Sequence, residues 1–459
     1  MKRAFGFMNA CLSASLLTAC GSGASVSPPI ATAEQPSSNA GLSAVQSPEW
    51  RNKNTQHREL PTEAVIYHFQ DGTDGGLPAA GLIMDKAGVL YGTTTAGNSG
   101  GNVYALTPNG STYNESAIYT LGGAPEAPLI ADSSGGFYST TLNGGTDGVG
   151  IVFKLTHSGT TWIESILHSF VGGRDGANPI YGGLLDSSGT LYGTTYHGGH
   201  TNCASGGCGT VFELRSSHEG YRERILYRFR GGSDGENPSS TLVMDKTGAL
   251  FGTTSGGALG LGTVFKLTRY GNRYKESVVH HFRGGRDGAY PIAGLIAGPN
   301  GDLYGTTYGG GGCGNPPSGC GTVFLLTGSG RSYVERILYR FQGGKDGANP
   351  YDGLIADSTG AFYGTSANGG SSCGGGCGTV FRLMPSGKRY HEDVIYSFQG
   401  GSDGRSPFGG VLIDSAGALY GTTFLGGGSG CGGNGCGTAF KIKGALTRET
   451  LGNAATTRE

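Results

Sequence analysis

Eight of the ten cysteines stand in close pairs, and they are the residues whose spacing most plainly suits chemistry. Two sulfurs a few residues apart can close a disulfide within one loop or supply two ligands to a metal ion. An export signal would deliver these loops to an oxidising compartment, so the pattern predicts disulfides that stabilise by about 2 kcal/mol each. The predicted partners are Cys203 with Cys208, Cys313 with Cys320, Cys373 with Cys377, and Cys431 with Cys436.

The first cysteine pair also allows a zinc site. His197 and His200 precede Cys203 and Cys208, which gives two imidazoles and two sulfurs at a spacing that zinc accepts. The other three pairs lack a histidine, although their loops are otherwise alike. The shared pattern therefore favours a disulfide, and zinc stays the lesser alternative.

A second set of repeated polar residues consists of aspartates in the loop phrase Gly-Gly-x-Asp-Gly. A ring of carboxylates could hold calcium. An aspartate beside glycine also caps its own backbone in an Asx turn, and repetition in nearly every unit favours that structural role, because a catalytic site breaks symmetry. We expect no resident cofactor, and we expect these loops on the binding face: Asp175, Asp234, Asp287, Asp346 and Asp403.

Seven glutamates and two histidines recur within the phrase Tyr-x-Glu-x-Ile-Leu-Tyr-x-Phe. We interpret the glutamates as structural, with basic residues such as Lys154 and Lys266 as partners for some of them. His168 and His280 replace the second tyrosine of the phrase and are expected to be packed side chains. No Ser/His/Asp order and no phosphate-binding Gly-Lys-Ser/Thr stands out, so no catalytic residue is predicted. The glutamates are Glu63, Glu115, Glu164, Glu223, Glu276, Glu335 and Glu392.

These residues belong to a unit that the chain repeats seven times. Its most regular phrase is Leu-Tyr-Gly-Thr-Thr, which recurs at intervals of 47 to 59 residues. Each unit holds four short apolar runs separated by Gly, Asp and Pro, which predicts four antiparallel strands. A period of about 50 residues made of short strands is typical of a propeller. The aromatic residues at the second position of the phrase are Tyr91, Tyr138, Tyr192, Phe251, Tyr304, Tyr363 and Tyr420.

The order of the strands predicts how the ring closes. In the third unit the predicted strands are 183–186, 191–195, 210–214 and 221–229, and alternation in the last places Ile225, Tyr227 and Phe229 on one face. A copy of this last strand, 63–69, precedes the first unit, whereas the last unit stops after its third strand, 437–442. We therefore predict an all-β, seven-bladed β-propeller over residues 61–443, with four-stranded antiparallel blades and the last blade closed by the N-terminal strand.

The N-terminus is typical of an export signal. Lys2 and Arg3 precede an apolar stretch that is too short to span a bilayer. The stretch ends in Leu-Thr-Ala-Cys at Cys20, which resembles the lipobox of bacterial lipoproteins and implies cleavage before Cys20 and lipidation of it. An ordinary secretory peptide is the alternative. We predict a signal peptide over 1–19, a lipidated flexible tether over 20–60 and a disordered tail over 444–459, on an exported lipoprotein of the outer membrane or cell surface.

The near-neutral charge of the chain indicates which kinds of partner it can bind. The formal net charge is −1, and charged residues make up 14% of the chain without long runs of one sign. Binding of nucleic acid requires a basic face, so we expect no nucleic-acid partner. The expected contacts are the membrane, through the lipid anchor, and an unknown protein or polysaccharide, for a chain that is a monomer.

Three phrases resemble those of the GloVer-repeat, or choice-of-anchor, bacterial exoproteins. They stand at 303–307, 321–324 and 343–347, and the resemblance extends over residues 62–443. The family is defined by its repeats and anchors, and the resemblance implies no activity. The order of the unit is also similar to that of NHL-type and lactonase-like propellers at the level of fold, from which function does not follow.

The loops between the second and third strands differ in length from unit to unit. They are long in units three, five, six and seven and short in units one, two and four. This inequality favours a binding or scaffold module that presents one walled face to a protein or polysaccharide. The alternatives are a propeller enzyme, such as a metal-assisted lactonase or lyase, and a structural component of the cell envelope.

Overall fold

The structure is a computed structural model of the protein. The predicted signal peptide, Cys20, the predicted tether up to residue 60 and the predicted tail beyond Gly444 lie outside the described residues. Among the residues that are described, no helix is long and apolar enough to cross a bilayer. The described residues are 61–97, 100–203, 206–257, 259–298, 300–314, 318–329, 332–370, 373–387 and 389–444.

The strands follow the seven-fold repeat. The first described strand, β1 (Thr62–His68), precedes three regular blades. Blade one comprises β2 (Ile83–Met84), β3 (Leu90–Thr94), β4 (Asn102–Asn109) and β5 (Thr112–Thr120). Blade two comprises β6 (Ile130–Ala131), β7 (Phe137–Thr141), β8 (Ile151–Ser158) and β9 (Thr161–Ser169). Blade three comprises β10 (Leu184–Leu185), β11 (Leu191–Thr195), β12 (Thr210–Ser217) and β13 (Gly220–Arg228).

Blades four and six each contain an additional short strand. Blade four comprises β14 (Glu236–Pro238), β15 (Val243–Met244), β16 (Leu250–Gly256), β17 (Thr263–Tyr270) and β18 (Arg273–His281). Blade five comprises β19 (Ile296–Ala297), β20 (Leu303–Thr307), β21 (Thr322–Ser329) and β22 (Ser332–Arg340). Blade six comprises β23 (Ala348–Pro350), β24 (Ile355–Ala356), β25 (Phe362–Asn368), β26 (Thr379–Ser386) and β27 (Arg389–Ser397). The last unit contributes β28 (Leu412–Ile413), β29 (Leu419–Thr423) and β30 (Thr438–Lys443).

Short helical turns occur in the described loops. Four of them are 3₁₀ turns in the connections between blades, and one is a single distorted α-helical turn. They span Gly173–Asp175, Gly232–Asp234, Gly285–Asp287, Gly344–Asp346 and Gly430–Gly433.

The described strands form seven antiparallel sheets in a ring, and the predicted closure is confirmed. The closing sheet has the order β1-β30-β29-β28, with Thr62 paired to Lys443 and His68 paired to Thr438. In six of the seven blades the first threonine of the Leu-Tyr-Gly-Thr-Thr phrase also links neighbours, because its hydroxyl donates to a backbone carbonyl three residues before the inner strand of the next blade. Between blades seven and one this bond joins Thr422 to the carbonyl of Ala80 at 3.2 Å. Blade one is therefore held to blade seven by the same contacts as the other neighbours.

The hydrophobic core is divided into seven clusters, one at each contact between neighbouring blades in the described chain. The glycine of Leu-Tyr-Gly-Thr-Thr makes room for an aromatic ring on the third strand. At Gly193 a β carbon would lie 2.5 Å from Cζ of Phe212, which is itself 1% exposed. The glycine leaves room for this ring in six blades, and blade two has Ser139 at the same position, opposite Phe153.

A second repeated glycine carries the contact between blades. The glycine before each third strand packs on a proline that begins the next blade, so a side chain on the glycine would overlap the proline ring. Ring closure uses the same contact, between Gly437 and Pro78. The pairs are Gly101–Pro125, Gly150–Pro179, Gly209–Pro238, Gly262–Pro291, Gly321–Pro350, Gly378–Pro407 and Gly437–Pro78.

The predicted alternation in the outer strand is wrong at one point. A bulge shifts the register so that Val211 pairs with Tyr227 while Phe212 pairs with Ile225. Ile225 consequently packs between blades two and three, and Tyr227 packs between blades three and four. A bulge adds one unpaired residue, which moves the next side chain to the other face of the strand.

Candidate functional site

One face of the propeller carries both the unequal loops and the connections between blades, and we call it the loop face. Four disulfides close the predicted cysteine pairs, with Cα atoms 5.2 to 5.5 Å apart. The sulfurs pack on the following Gly-Gly-x-Asp-Gly connection: a β carbon on Gly231 would lie 2.7 Å from Sγ of Cys203, and one on Gly343 would lie 3.0 Å from Sγ of Cys320. The stapled loops and the connections therefore support one another.

In the structure, the two cysteines and His197 of the alternative zinc site have other partners. Sγ of Cys203 and Sγ of Cys208 are joined in a disulfide, so neither is the thiolate that binds zinc. Nδ1 of His197 lies 3.0 Å from Oδ1 of Asn178. A zinc site with His200 would require the reduced protein, and it stays a prediction.

The connection aspartates bond to the end of the outer strand that precedes them. Oδ2 of Asp234 accepts a hydrogen bond from the backbone N–H of Arg230 at 2.7 Å, and Oδ1 accepts one from the hydroxyl of Tyr227 at 2.5 Å. These contacts are those of a carboxylate that orders its own turn. They support the structural interpretation, while calcium binding stays a prediction. The same two contacts recur at Asp74, Asp346 and Asp403.

The outer-strand glutamates face the connection that precedes their blade. Burial raises the pKa of Glu276 to about 8, with the charge of Asp234 as the second cause, and burial raises the pKa of Glu392 to about 8 beside Asp346. Where two carboxyl groups are adjacent and partly buried, ionisation of both is energetically costly. The pair therefore shares one proton. Six of the seven blade contacts therefore contain a carboxyl pair next to a tyrosine or histidine, and the contact between blades one and two has Glu164 with Tyr119 alone.

The basic residues proposed as partners of these glutamates bind elsewhere. Nζ of Lys154 lies 2.8 Å from Oδ2 of Asp132, and Nζ of Lys266 lies 3.7 Å from Oδ2 of Asp245. Each ammonium also lies over the ring of its own blade's repeated aromatic residue, 4.7 Å from the centre of Tyr138 for Lys154. The expected pairing is wrong because the cross-strand neighbour of Lys154 is Ser165.

Four aromatic side chains form an arc at the inner edge of the loop face, and we call them the aromatic arc. The rings of Tyr351 and Phe408 stack with centres 4.5 Å apart, and those of Phe408 and Phe424 stack at 4.8 Å. Tyr308 meets Tyr351 edge-on at 6.2 Å. The arc spans blades five, six and seven, which are the three consecutive blades with disulfide-stapled loops.

Two acidic residues break the repeat at the start of the inner strands. Asp352 is half-buried and accepts hydrogen bonds from the backbone N–H of Gly353 at 2.7 Å and from that of Gly410, on the next blade, at 2.6 Å. Burial raises the pKa of the Asp352 carboxyl, and it raises the pKa of Glu126 to about 7. Our reading of the sequence missed both residues. The signal for Asp352 was its position, which in the other units holds Ala80, Ala127, Tyr181, Ser240, Ala293 and Gly409.

The sequence pattern of a repeat family matches this chain in three overlapping stretches, namely 57–204, 98–316 and 314–458. Together the stretches contain every blade described above. The chain belongs to the Gloeobacter/Verrucomicrobia repeat family. A comparison with curated proteins finds no match.

Solved structures similar to this Gloeobacter/Verrucomicrobia repeat protein share its fold. A fungal alcohol oxidase of the AA5 family, in complex with copper, is 14% identical, with a TM-score of 0.52 over 83% of this chain and 76% of that one. A putative 6-phosphogluconolactonase from Bacteroides uniformis is 14% identical, with a TM-score of 0.45 over 71% of this chain and 84% of that one. At 14% identity the likeness to the oxidase extends to the fold and not to activity.

The disulfides of the repeat protein also indicate its surroundings. Four of them lie within the described loops. Disulfides persist in oxidising compartments and are rare where thiols are kept reduced. The propeller therefore belongs to an oxidising, extracytoplasmic environment.

Proposed function

We propose that the protein is a binding module whose partner, a protein or a polysaccharide, docks on the loop face. The observation that carries the proposal is the aromatic arc, which lies on the same three blades as the consecutive stapled loops. Four of the seven blade contacts use Tyr–Asp pairs and differ little, whereas the loop face differs from blade to blade. A recognition surface needs such differences, because identical blades present identical contacts.

The stapled loops supply rigidity to this surface. Glycine-rich loops lose much conformational entropy when a ligand orders them, and a disulfide removes part of that cost before binding. The central ring of the aromatic arc, Phe408, is only 5% exposed and supports the stack, so the half-buried rings of Tyr308, Tyr351 and Phe424 offer a partner a fixed apolar wall. Blades one and two carry short loops, which leaves an open side from which a large partner approaches.

The binding module is held at the cell envelope through Cys20. The support is the lipobox sequence, together with the disulfides that indicate an extracytoplasmic environment. Mass spectrometry of the protein from its membrane fraction is expected to show acylated Cys20 at the mature N-terminus. A mature protein that carries no acyl group, or a Cys20→Ala variant that stays in the membrane fraction as the unaltered protein does, would contradict this anchor.

Replacement of one stapled loop tests the binding face. In the test variant, the loop between Thr307 and Thr322 is exchanged for the shorter loop of blade four. Binding of both proteins is measured on an array of bacterial glycans and by cross-linking to envelope proteins, which separates the two partner classes. We expect the variant to lose at least tenfold in affinity for whichever partner the unaltered protein binds.

The matched control is Lys246→Ala, which changes an exposed side chain on the opposite face. It is expected to bind as the unaltered protein does. Equal affinity of the loop variant and the unaltered protein would place the binding surface elsewhere. A Phe424→Ala variant, which removes one end of the aromatic arc, is expected to weaken binding without changing the disulfides.

A further inference from the structure

Two of the seven blade contacts have a histidine in place of the tyrosine, and in one of them the imidazole lies close to two carboxylates. Where five contacts have a tyrosine, the contact between blades four and five has His280 at the end of β18. Nε2 of His280 lies 3.5 Å from Oδ1 of Asp287 and 3.6 Å from Oε1 of Glu335. One imidazole and two carboxylates from three separate segments thus converge on one point.

These separations suit a metal ion better than hydrogen bonds. A hydrogen bond from an imidazole to a carboxylate is usually shorter than about 3.2 Å. Ligands that sit about 2.0 to 2.1 Å from a tetrahedral zinc ion are separated from one another by roughly 3.3 Å. The observed spacing is close to that of atoms arranged around a small cation.

The ligand atoms themselves are left without partners. Nε2 of His280 and Oε1 of Glu335 are both buried, and neither has a hydrogen-bond partner. The same oxygen is unpartnered in all seven repeated glutamates, so the atom that distinguishes this contact is Nε2 of His280, since Nε2 of His168 has a partner. A buried polar atom without a partner costs on the order of 1–3 kcal/mol, so such atoms call for an explanation. Coordination of a cation would satisfy both atoms at once.

The equivalent contact between blades two and three provides an internal comparison. His168 and Asp175 occupy the same positions, and there Nε2 of the histidine is within 3.3 Å of the carboxylate. In the described residues, the three groups of ligand atoms that meet within 4.8 Å include the His280 group, and the other two contain disulfide sulfurs. The trio formed by His168, Asp175 and Glu223 is not among them.

We propose that His280, Asp287 and Glu335 bind a zinc-type divalent cation between blades four and five. Imidazole nitrogen and carboxylate oxygen are ligands that zinc accepts, and a water molecule takes the fourth position. The two carboxylates balance the charge of the ion. Arg283 and Arg340 also act on Glu335 through their positive charges, so the site binds more weakly than a closed structural zinc site.

The bound ion would tie together two blades and their connection. His280 belongs to blade four, Asp287 to the connection and Glu335 to β22 of blade five. A ligand that binds the folded state alone stabilises it in proportion to its concentration above the dissociation constant. Zinc is therefore expected to raise the midpoint of thermal unfolding.

The test uses the oxidised full chain without an affinity tag, after treatment with a chelator. Zn²⁺ is titrated into the protein by calorimetry, and Co²⁺ provides a second, spectroscopic readout. We expect one Zn²⁺ per chain and an absorption band from tetrahedral Co²⁺. The test variant is His280→Tyr, which installs the residue found at five other blade contacts and should keep the fold. It is expected to lose the binding isotherm and the cobalt band.

The control variant is His168→Tyr, which makes the same change at the comparison site. It is expected to keep binding of one Zn²⁺ unchanged. No binding by the unaltered chain would overturn the proposal. Binding that survives His280→Tyr, or that His168→Tyr reduces equally, would also overturn it, because the ion would then reside elsewhere.

Discussion

The contacts between blades and the rim of the loop face follow opposite rules. At the blade contacts, a glycine meets a proline seven times in the described ring, and the closing contact of Gly437 with Pro78 is no exception. On the rim, loop length, disulfides and aromatic residues change from blade to blade. Repetition thus maintains the ring, whereas the proposed binding surface lies where the repetition fails.

This difference separates the effects that substitutions should have. A change at a repeated contact acts on the free energy of unfolding, because each blade depends on its neighbours for burial of its apolar face. A change on the rim acts mainly on binding. The four predictions below test that separation, beginning with the change that should damage the ring most.

Removal of residues 61–69 should abolish the stable fold. The deletion takes away β1, which covers the edge of β30, and it also takes away Phe69, a core side chain that is 2% exposed. An uncovered edge in a hydrophobic blade promotes aggregation. Light scattering after size-exclusion chromatography should show aggregates, and circular dichroism should show no cooperative melting. A monomer with an unchanged melting curve would refute closure through β1.

Gly193→Val should destabilise the protein by about 3 kcal/mol, because the added side chain overlaps the ring of Phe212 in a packed core. Urea unfolding followed by tryptophan fluorescence measures the loss. The matched control is Gly122→Val, where a β carbon meets nothing within 4 Å. The control should remain within about 0.5 kcal/mol of the unaltered protein. Equal losses in both variants would remove the packing explanation.

Replacement of Cys313 and Cys320 by serine should lower stability by about 2 kcal/mol, since the ring that the disulfide closes is short. The rim comparison predicts a further effect: partner affinity should fall while the remaining blades keep their melting behaviour. Differential scanning calorimetry and the binding assay on the same preparation separate the two. Loss of stability with full retention of affinity would argue against the loop as part of the binding face.

Glu276→Gln should change the pH dependence of stability by a smaller amount. Burial, with Asp234 second, raises the pKa of Glu276 from 4.5 to about 8, while Arg230 acts in the opposite direction. The folded chain therefore holds the proton more tightly than the unfolded chain does. This contribution to stability is fully present below pH 4.5 and is lost as the pH rises towards 8.

Glutamine stays neutral at every pH, so the variant should lose less stability than the unaltered protein between pH 5 and pH 8. Urea midpoints at the two values provide the measurement. Glu276 faces Tyr227 and Asp234 at the same blade contact, and both remain in place in the variant. Parallel pH profiles for the two proteins would show that Glu276 does not carry the raised pKa.

The sequence was sufficient for the ring because every structural phrase occurs once per blade. Seven second strands, seven third strands and the displaced copy at 63–69 leave one closed arrangement. The disulfide pairing could also be predicted from sequence, because each cysteine pair lies within one loop of its own unit. The side-chain partners of Lys154 and Glu276 could not be predicted from sequence. They depend on a bulge and on which face of the strand each side chain lies.

The aromatic arc and Asp352 could not be assembled from sequence. Tyr351, Phe408 and Phe424 are separated along the chain and meet only because consecutive blades stand side by side. Each of the three occupies a position at which other units have different residues. A comparison of the repeats treats such positions as variable and does not single them out. The contact between His280 and Glu335 was equally hidden, since its two ends lie on different blades.

The pairing of Thr62 with Lys443 has a consequence for the life of the nascent chain. The earliest-made strand must wait, unpaired, until the final one emerges from the ribosome. Contacts so distant along the polypeptide are slow to form, because a long loop has to close first. A chain that ends before β30 cannot close the ring through β1 and leaves that strand edge unpaired.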